Sequence, residues 1–260
     1  GAVAPIIDKI IASDRQKYDI FGAIAFEPKS GTLFVGASQF YNFEAGKGMV
    51  YIYQKENGIW TQKQKLTADD TPNTGAIGDH FGFSVAAEED LLVIGAPHSS
   101  FYSAYAPGKV YLYKRVDSAW EYSQTISAKN PLPSDNFGRT VDINQGRIVV
   151  GAPSVMVKTE LEGVFLFEKD EESTFVQTQE FYASDAAMFD RFGISIKLKG
   201  NLLAIGASGK DMALGRESNT QTGAVYVFEK TGNTWTEKQK ISPNFLDYIS
   251  QFGHSLDWYG

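Results

Sequence analysis

The chain's 260 residues predict an all-β fold, a β-propeller of four-stranded antiparallel blades. Three observations carry that expectation. An FG dipeptide recurs at Phe21-Gly22, Phe81-Gly82, Phe137-Gly138, Phe192-Gly193 and Phe252-Gly253, at intervals of 60, 56, 55 and 60 residues by subtraction. Between these marks lie short segments rich in β-branched and aromatic residues, four to a unit. No segment shows a sustained helical period; residues 186–189 could form one turn at most.

The elements follow in a fixed order. Strand one starts at each FG. A short link comes next (EPKSG, AEED, NQG or KG), as a hairpin requires. Strand two is LFVGAS from Leu33, LVIGAP from Leu92, IVVGAP from Ile148 and LAIGAS from Leu203. Its continuous apolar character suits a strand packed on both faces. A long, variable loop leads to strand three, VYIY, VYLY, VFLF or VYVF. Strand four opens with Trp60, Trp120, Phe175 or Trp235. One such sheet leaves two apolar faces, which neighbouring blades stacked about an axis cover for each other.

Four complete repeats therefore start near residues 21, 81, 137 and 192, in a single domain or fragment spanning 1–260. Residues 1–20 read as a strand four and residues 252–260 as a strand one, so the fifth repeat is split. The expectation is a piece of a larger propeller, of seven blades for example, or a ring completed by a neighbouring chain or a missing segment. A five-bladed ring with a degenerate closing blade is the weaker alternative.

Composition bounds the function. The net charge of −7 argues against a nucleic-acid partner. The chain has no apolar run of about 18 residues, so no membrane insertion is expected within it. Zero cysteines exclude disulfides, thiolate metal sites and cysteine nucleophiles.

The repeated residues resemble the FG-GAP repeat of integrin α-subunit heads. The second unit carries the fullest copy: Trp60, Gln64, Lys65, Leu66, Ala68, Asp70, Asp79, Phe81, Gly82, Ser84, Val85, Leu92, Val93, Gly95, Ala96, Pro97, Gly108, Val110 and Tyr111. The resemblance implies an extracellular or cell-surface module that binds a protein or glycan through the loops on one face. Many FG-GAP units also hold calcium between strands one and two. The four links here are too short and lack alternating carboxylates, so no metal and no other cofactor is expected.

Within this frame the recurring residues read as architecture. Each FG glycine is expected to serve close backbone approach or a positive φ. Each FG phenylalanine, and Trp60, Trp120, Phe175 and Trp235, should pack between blades. Asp19, Asp79, Asp135 and Asp190, two residues before the FG, read as acceptors for backbone N–H groups. The residue two beyond each glycine is small or β-branched: Ile24, Ser84, Thr140, Ser195 or Ser255. His80, His98 and His254 form no metal motif and read as surface or loop histidines.

Function is expected in the variable loops. The aromatic-bearing loops between strands two and three offer Phe40, Tyr41 and Phe43 in the first unit, and His98, Phe101, Tyr102 and Tyr105 in the second. Rigid rings of this kind suit protein and glycan recognition. The expected function is a non-enzymatic binding or adhesion module. One alternative is a structural assembly element of a larger surface protein or filament. A glycosidase would need paired carboxylates at the axis, where strand one offers Asp142 and Asp257 against Phe26, Ala86 and Lys197.

Overall fold

The computed structural model describes residues 10, 12, 14, 19–39, 48–68, 80–97, 107–131, 135–153, 163–187, 189–210, 221–243 and 249–258. These form four antiparallel sheets, each in simple sequential order. Blade 1 holds β1 (Asp19–Glu27), β2 (Thr32–Gln39), β3 (Met49–Glu56) and β4 (Ile59–Leu66). Blade 2 holds β5 (Ser84–Glu88), β6 (Leu91–Ala96), β7 (Lys109–Val116) and β8 (Ala119–Ile126). Blade 3 holds β9 (Thr140–Asn144), β10 (Arg147–Ala152), β11 (Gly163–Lys169) and β12 (Phe175–Phe181). Blade 4 holds β13 (Phe192–Lys199), β14 (Leu202–Ala207), β15 (Gln221–Thr231) and β16 (Thr234–Ile241). The fold is the all-β arrangement of propeller blades that the repeats predict. Its inner strands β1, β5, β9 and β13 pack in succession.

The core lies between blades rather than within them. Phe34, Val50, Ile52 and Leu66 of blade 1 share one cluster with Phe81, Leu92, Ile94, Tyr111 and Trp120 of blade 2. Val93, Val110 and Leu112 meet Phe137, Ile148 and Phe175 across the next joint. Val164, Leu166 and Phe181 meet Phe192, Ile205, Tyr226 and Trp235 across the third. Burying each such side chain contributes about 1.5–3 kcal/mol. Phe81, Phe137 and Phe192, and Trp120, Phe175 and Trp235, thus take the inter-blade positions expected of them; Phe252 is exposed, and the side chain of Phe21 lies outside the described residues.

The FG itself forms a tight turn rather than the body of a strand. The N–H of Phe83 reaches His80 O at 3.0 Å, and the same bond joins Arg139 to Asn136, Ile194 to Arg191 and His254 to Gln251. The turn's third residue is Gly82, Gly138, Gly193 or Gly253, with φ between 82° and 93°. That angle is the reason for glycine there. The residue before each phenylalanine is also left-handed: His80, Asn136, Arg191 and Gln251, with φ of 58°, 56°, 56° and 48°.

The first FG departs from this pattern. Ile20 stands where His80 stands in blade 2, and a β-branched residue strongly resists the left-handed region. There β1 runs on as strand, and its register slips between Phe21 and Ala23. Ala23 then pairs with Gly36 as Ser84 pairs with Gly95, so Ala23 and not Ile24 is the counterpart of Ser84. By the same slip Ala25, not Phe26, matches Ala86 and Asp142.

The last FG corrects a second expectation. The described strand there is β17 (Ile249–Phe252), which pairs in parallel with β15. Residues 253–258, expected as strand one, carry no strand; among the described residues no strand two lies beside them to form a ladder.

Candidate functional site

Each blade joint is built from an FG and the strand two of the blade before it. A Cβ on Gly36, Gly95, Gly151 or Gly206 would lie 2.0, 2.0, 2.3 or 1.9 Å from the carbonyl oxygen of Gly82, Gly138, Gly193 or Gly253 respectively. Those four glycines therefore mark backbone contact between blades. Ser84 Oγ donates to Gly138 O at 2.8 Å, Thr140 Oγ1 to Gly193 O at 2.7 Å and Ser195 Oγ to Gly253 O at 2.6 Å. These hydroxyls are bound to the joint and are not poised as nucleophiles.

On the outer strands, glutamine side chains clamp the next blade. Gln64 donates to Trp120 O at 2.8 Å and accepts from Trp120 N at 2.9 Å. Gln124 does the same to Phe175, at 2.8 and 3.0 Å. At the third joint Gln179 instead turns to Glu180 O, while Ser184 bonds Glu237 through both its N–H and its hydroxyl.

The loops between strands two and three and those between strands four and one leave from one face, where the FG turns also lie. Asp135 ties the two loop sets together, accepting from Phe137 N at 2.9 Å and from Gly108 N at 3.3 Å. Asp190 accepts from Ala187 N at 2.9 Å and forms a buried ion pair with Lys210 Nζ at 2.8 Å. Both are the backbone acceptors expected. Asp79 and the side chain of Asp19 lie outside the described residues.

A further polar junction recurs in blades 4 and 1, where an aspartate upstream of the FG meets strands three and four. Asp185 accepts from Tyr226 Oη at 2.6 Å and from Lys240 Nζ at 2.7 Å. Asp14 accepts from Tyr51 Oη at 2.8 Å and from Lys65 Nζ at 2.5 Å. Burial alone would raise the Asp185 carboxyl, but the Lys240 and Tyr226 bonds and the Lys210 charge bring it down to about 2. Asp14 is lowered too, first by the Lys65 bond and then by Tyr51.

The candidate ligand residues Phe40, Tyr41, Phe43, His98, Phe101, Tyr102 and Tyr105 all lie outside the described residues. The structure places their stems: β2 ends at Gln39 and β3 starts at Met49, β6 ends at Ala96 and β7 starts at Lys109. His80, read as a surface or loop histidine, is instead buried within the FG turn of blade 2. His254 is exposed.

The two carboxylates of strand one have different partners. Asp142 sits 3.6 Å from Lys197 Nζ and accepts from Leu198 N at 2.8 Å, across the joint to blade 4. Burial pushes its pKa up, against Lys197. Asp257 is exposed and, among the described residues, accepts from the neighbouring Trp258 N at 2.9 Å. Among the described residues no group of three or more His, Cys, Asp or Glu could hold a metal.

Sequence reading missed two arginines at the FG turns. Arg139 follows Gly138, and its guanidinium lies 4.8 Å from the centre of the Phe83 ring. Arg191 opens the turn of blade 4. The signal was available: these side chains vary (Phe83, Arg139, Ile194, His254; His80, Asn136, Arg191, Gln251) at backbone positions that repeat.

The sheets and joints define a repeat-built β-propeller. More particularly, the chain carries FG-GAP repeats: the family described as FG-GAP repeat matches residues 60–113 and 175–228. Human integrin alpha-11 is 25% identical over 224 residues, 77% of this chain and 18% of that protein. The chain thus spans less than a fifth of the length of that relative. Among solved structures, Kuenenia stuttgartiensis hydrazine synthase superposes with a TM-score of 0.52 at 12% identity, covering 84% of this chain and 53% of the other. At that identity the likeness concerns fold alone. Among the described residues no helix is long and apolar enough to cross a membrane.

Proposed function

We propose that the chain is a non-enzymatic, extracellular or cell-surface adhesion-type module that recognises a protein or glycan through the loop face of its blades. One observation carries this reading: the joints repeat their glycines, hydroxyls and phenylalanines from blade to blade, while the side chains offered on the loop face do not repeat. The similarity to integrin alpha-11 supports it. Phe40, Tyr41, Phe43, His98, Phe101, Tyr102 and Tyr105 are the proposed ligand residues. The test is binding of the labelled chain to arrays of glycans and of cell-surface proteins. A specific target should be retained by the parent chain and weakened at least tenfold by Tyr41→Ala or Tyr102→Ala, since a ring in a desolvated contact is worth about 2 kcal/mol or more. Unchanged binding by both variants, or no target at all, would sink the reading.

A second reading, a structural element of a larger surface assembly, rests on the exposed apolar residues of the two outer blades. Ile24 and Phe26 are 65% and 53% exposed, and Ile241 and Phe252 are each 38% exposed. A partner chain or further blades of the same protein would cover them. A concentration-dependent mass in solution would favour this reading.

A further inference from the structure

We propose that Arg139 and Arg191 form an anion site beside the axis on the loop face, and that it receives a single carboxylate from an acidic side chain of a protein ligand. The inference rests on the binding-module reading and names the chemistry of its partner.

Both arginines belong to FG turns of adjacent blades, each one residue before an inner strand, β9 or β13, and those strands pack together. Both are half-buried. Among the described residues neither makes an ion pair, although the chain carries 31 acidic residues and a net charge of −7. Among the described residues Arg139 meets the Phe83 ring, a contact through the face of the guanidinium that does not use its fork of donors. Arg191 is near enough that its charge, after burial, presses the Arg139 pKa down. Two like charges held together at a half-buried site cost stability unless a counter-ion joins them. Other charges near this joint have one: Asp142 has Lys197, Asp190 has Lys210 and Asp185 has Lys240.

The anion's class follows from charge. The acidic surface repels polyanions such as nucleic acid or a heavily sulfated glycan. A single carboxylate suffers least from that field, matches the planar guanidinium fork and can rest its stem on the Phe83 ring.

The probe is acetyl-Gly-Asp-Gly-amide, titrated into the full chain while the arginine Nε–H resonances are followed by NMR. Acetyl-Gly-Asn-Gly-amide, inorganic phosphate and a sulfated disaccharide are run in parallel. The Asp peptide should shift Arg139 and Arg191 together and saturably, with a midpoint that rises with salt. Arg139→Gln and Arg191→Gln should each weaken it at least tenfold, while Lys63→Gln, on the outer strand of blade 1, should change nothing. Equal shifts with the Asn peptide, tighter binding of the sulfated disaccharide or phosphate, no saturable shift, or indifference to both arginine variants would each overturn the proposal. If Tyr102→Ala abolishes array binding and the arginine variants do not, this site falls and the binding-module reading stands. If the peptide binds as described but no surface target exists, the reverse holds.

Discussion

The joint between blades 2 and 3 and the outer face of blade 4 carry the same sequence motifs in different company. At the joint Phe137 is fully buried between two sheets, and Gln124 clamps the backbone of Phe175. At the outer face Phe252 is 38% exposed, Ile241 likewise, and Gln239, the counterpart of Gln124, is exposed with no side-chain hydrogen bond among the described residues. The comparison shows what the motif is. FG and GAP are the two halves of one joint, supplied by successive blades. The FG turn offers a carbonyl, and the strand-two glycine of the preceding blade lets it approach. Neither half stabilises its own blade alone.

The sharpest way to break that comparison is to remove matching phenylalanines. Phe137→Ala should cost about 3–5 kcal/mol, the range for a fully buried ring that leaves a cavity. Phe252→Ala should cost less than half as much. Urea denaturation of the two variants checks this; equal losses would mean that the last FG is as well packed as the third. Next come the glycines. Gly95→Ala drives a methyl into Gly138 O and should cost about 3 kcal/mol. Gly22→Ala meets nothing within 4 Å and should stay within about 0.5 kcal/mol of the parent chain. A smaller contrast follows on the outer strands. Gln124→Ala strands the N–H and C=O of Phe175 and should cost about 1–3 kcal/mol, whereas Gln239→Ala should stay within about 0.5 kcal/mol. Thermal melts of the pair suffice.

Much of the frame was legible in the sequence because a period of 55–60 residues and alternating apolar runs report on burial directly. The inter-blade role of Phe81 or Trp120 followed from having four copies. The left-handed residues before each FG were not legible, because His80, Asn136, Arg191 and Gln251 share no side-chain type; only the hydrogen bond across the turn reveals them. Nor was the register of blade 1. Counting from the glycine put Ile24 in the position of Ser84, and the strand that replaces the first turn puts Ala23 there instead. For the site, the loops could be singled out by their variation. Arg139 and Arg191 do not stand out in the sequence because a repeat draws attention to residues that recur, whereas a binding side chain on a repeated scaffold is one that does not.

The smallest contrast lies between two carboxylates. Asp185 is held by Tyr226 and Lys240 and titrates at about 2 in the folded chain, below the ordinary 3.8. Asp257 is exposed and, among the described residues, bonds the adjacent amide. A depressed folded pKa means that the unfolded chain takes up the proton first. The stabilisation is therefore fully present above about pH 4 and is lost as pH falls from there through about 2. Asp185→Asn should lower the melting temperature at pH 6 but make its fall between pH 4 and pH 2 shallower than in the parent chain. Asp257→Asn should leave the melting temperature at pH 6 unchanged, as an exposed surface substitution does. Because Asp185 is nearly half exposed, the effect is modest and shrinks with salt. A slope for Asp185→Asn parallel to that of the parent chain would show that the Tyr226–Asp185–Lys240 junction contributes nothing to holding blade 3 on blade 4, and would leave that joint to the FG contact, the apolar core and the bonds of Asp142 and Ser184.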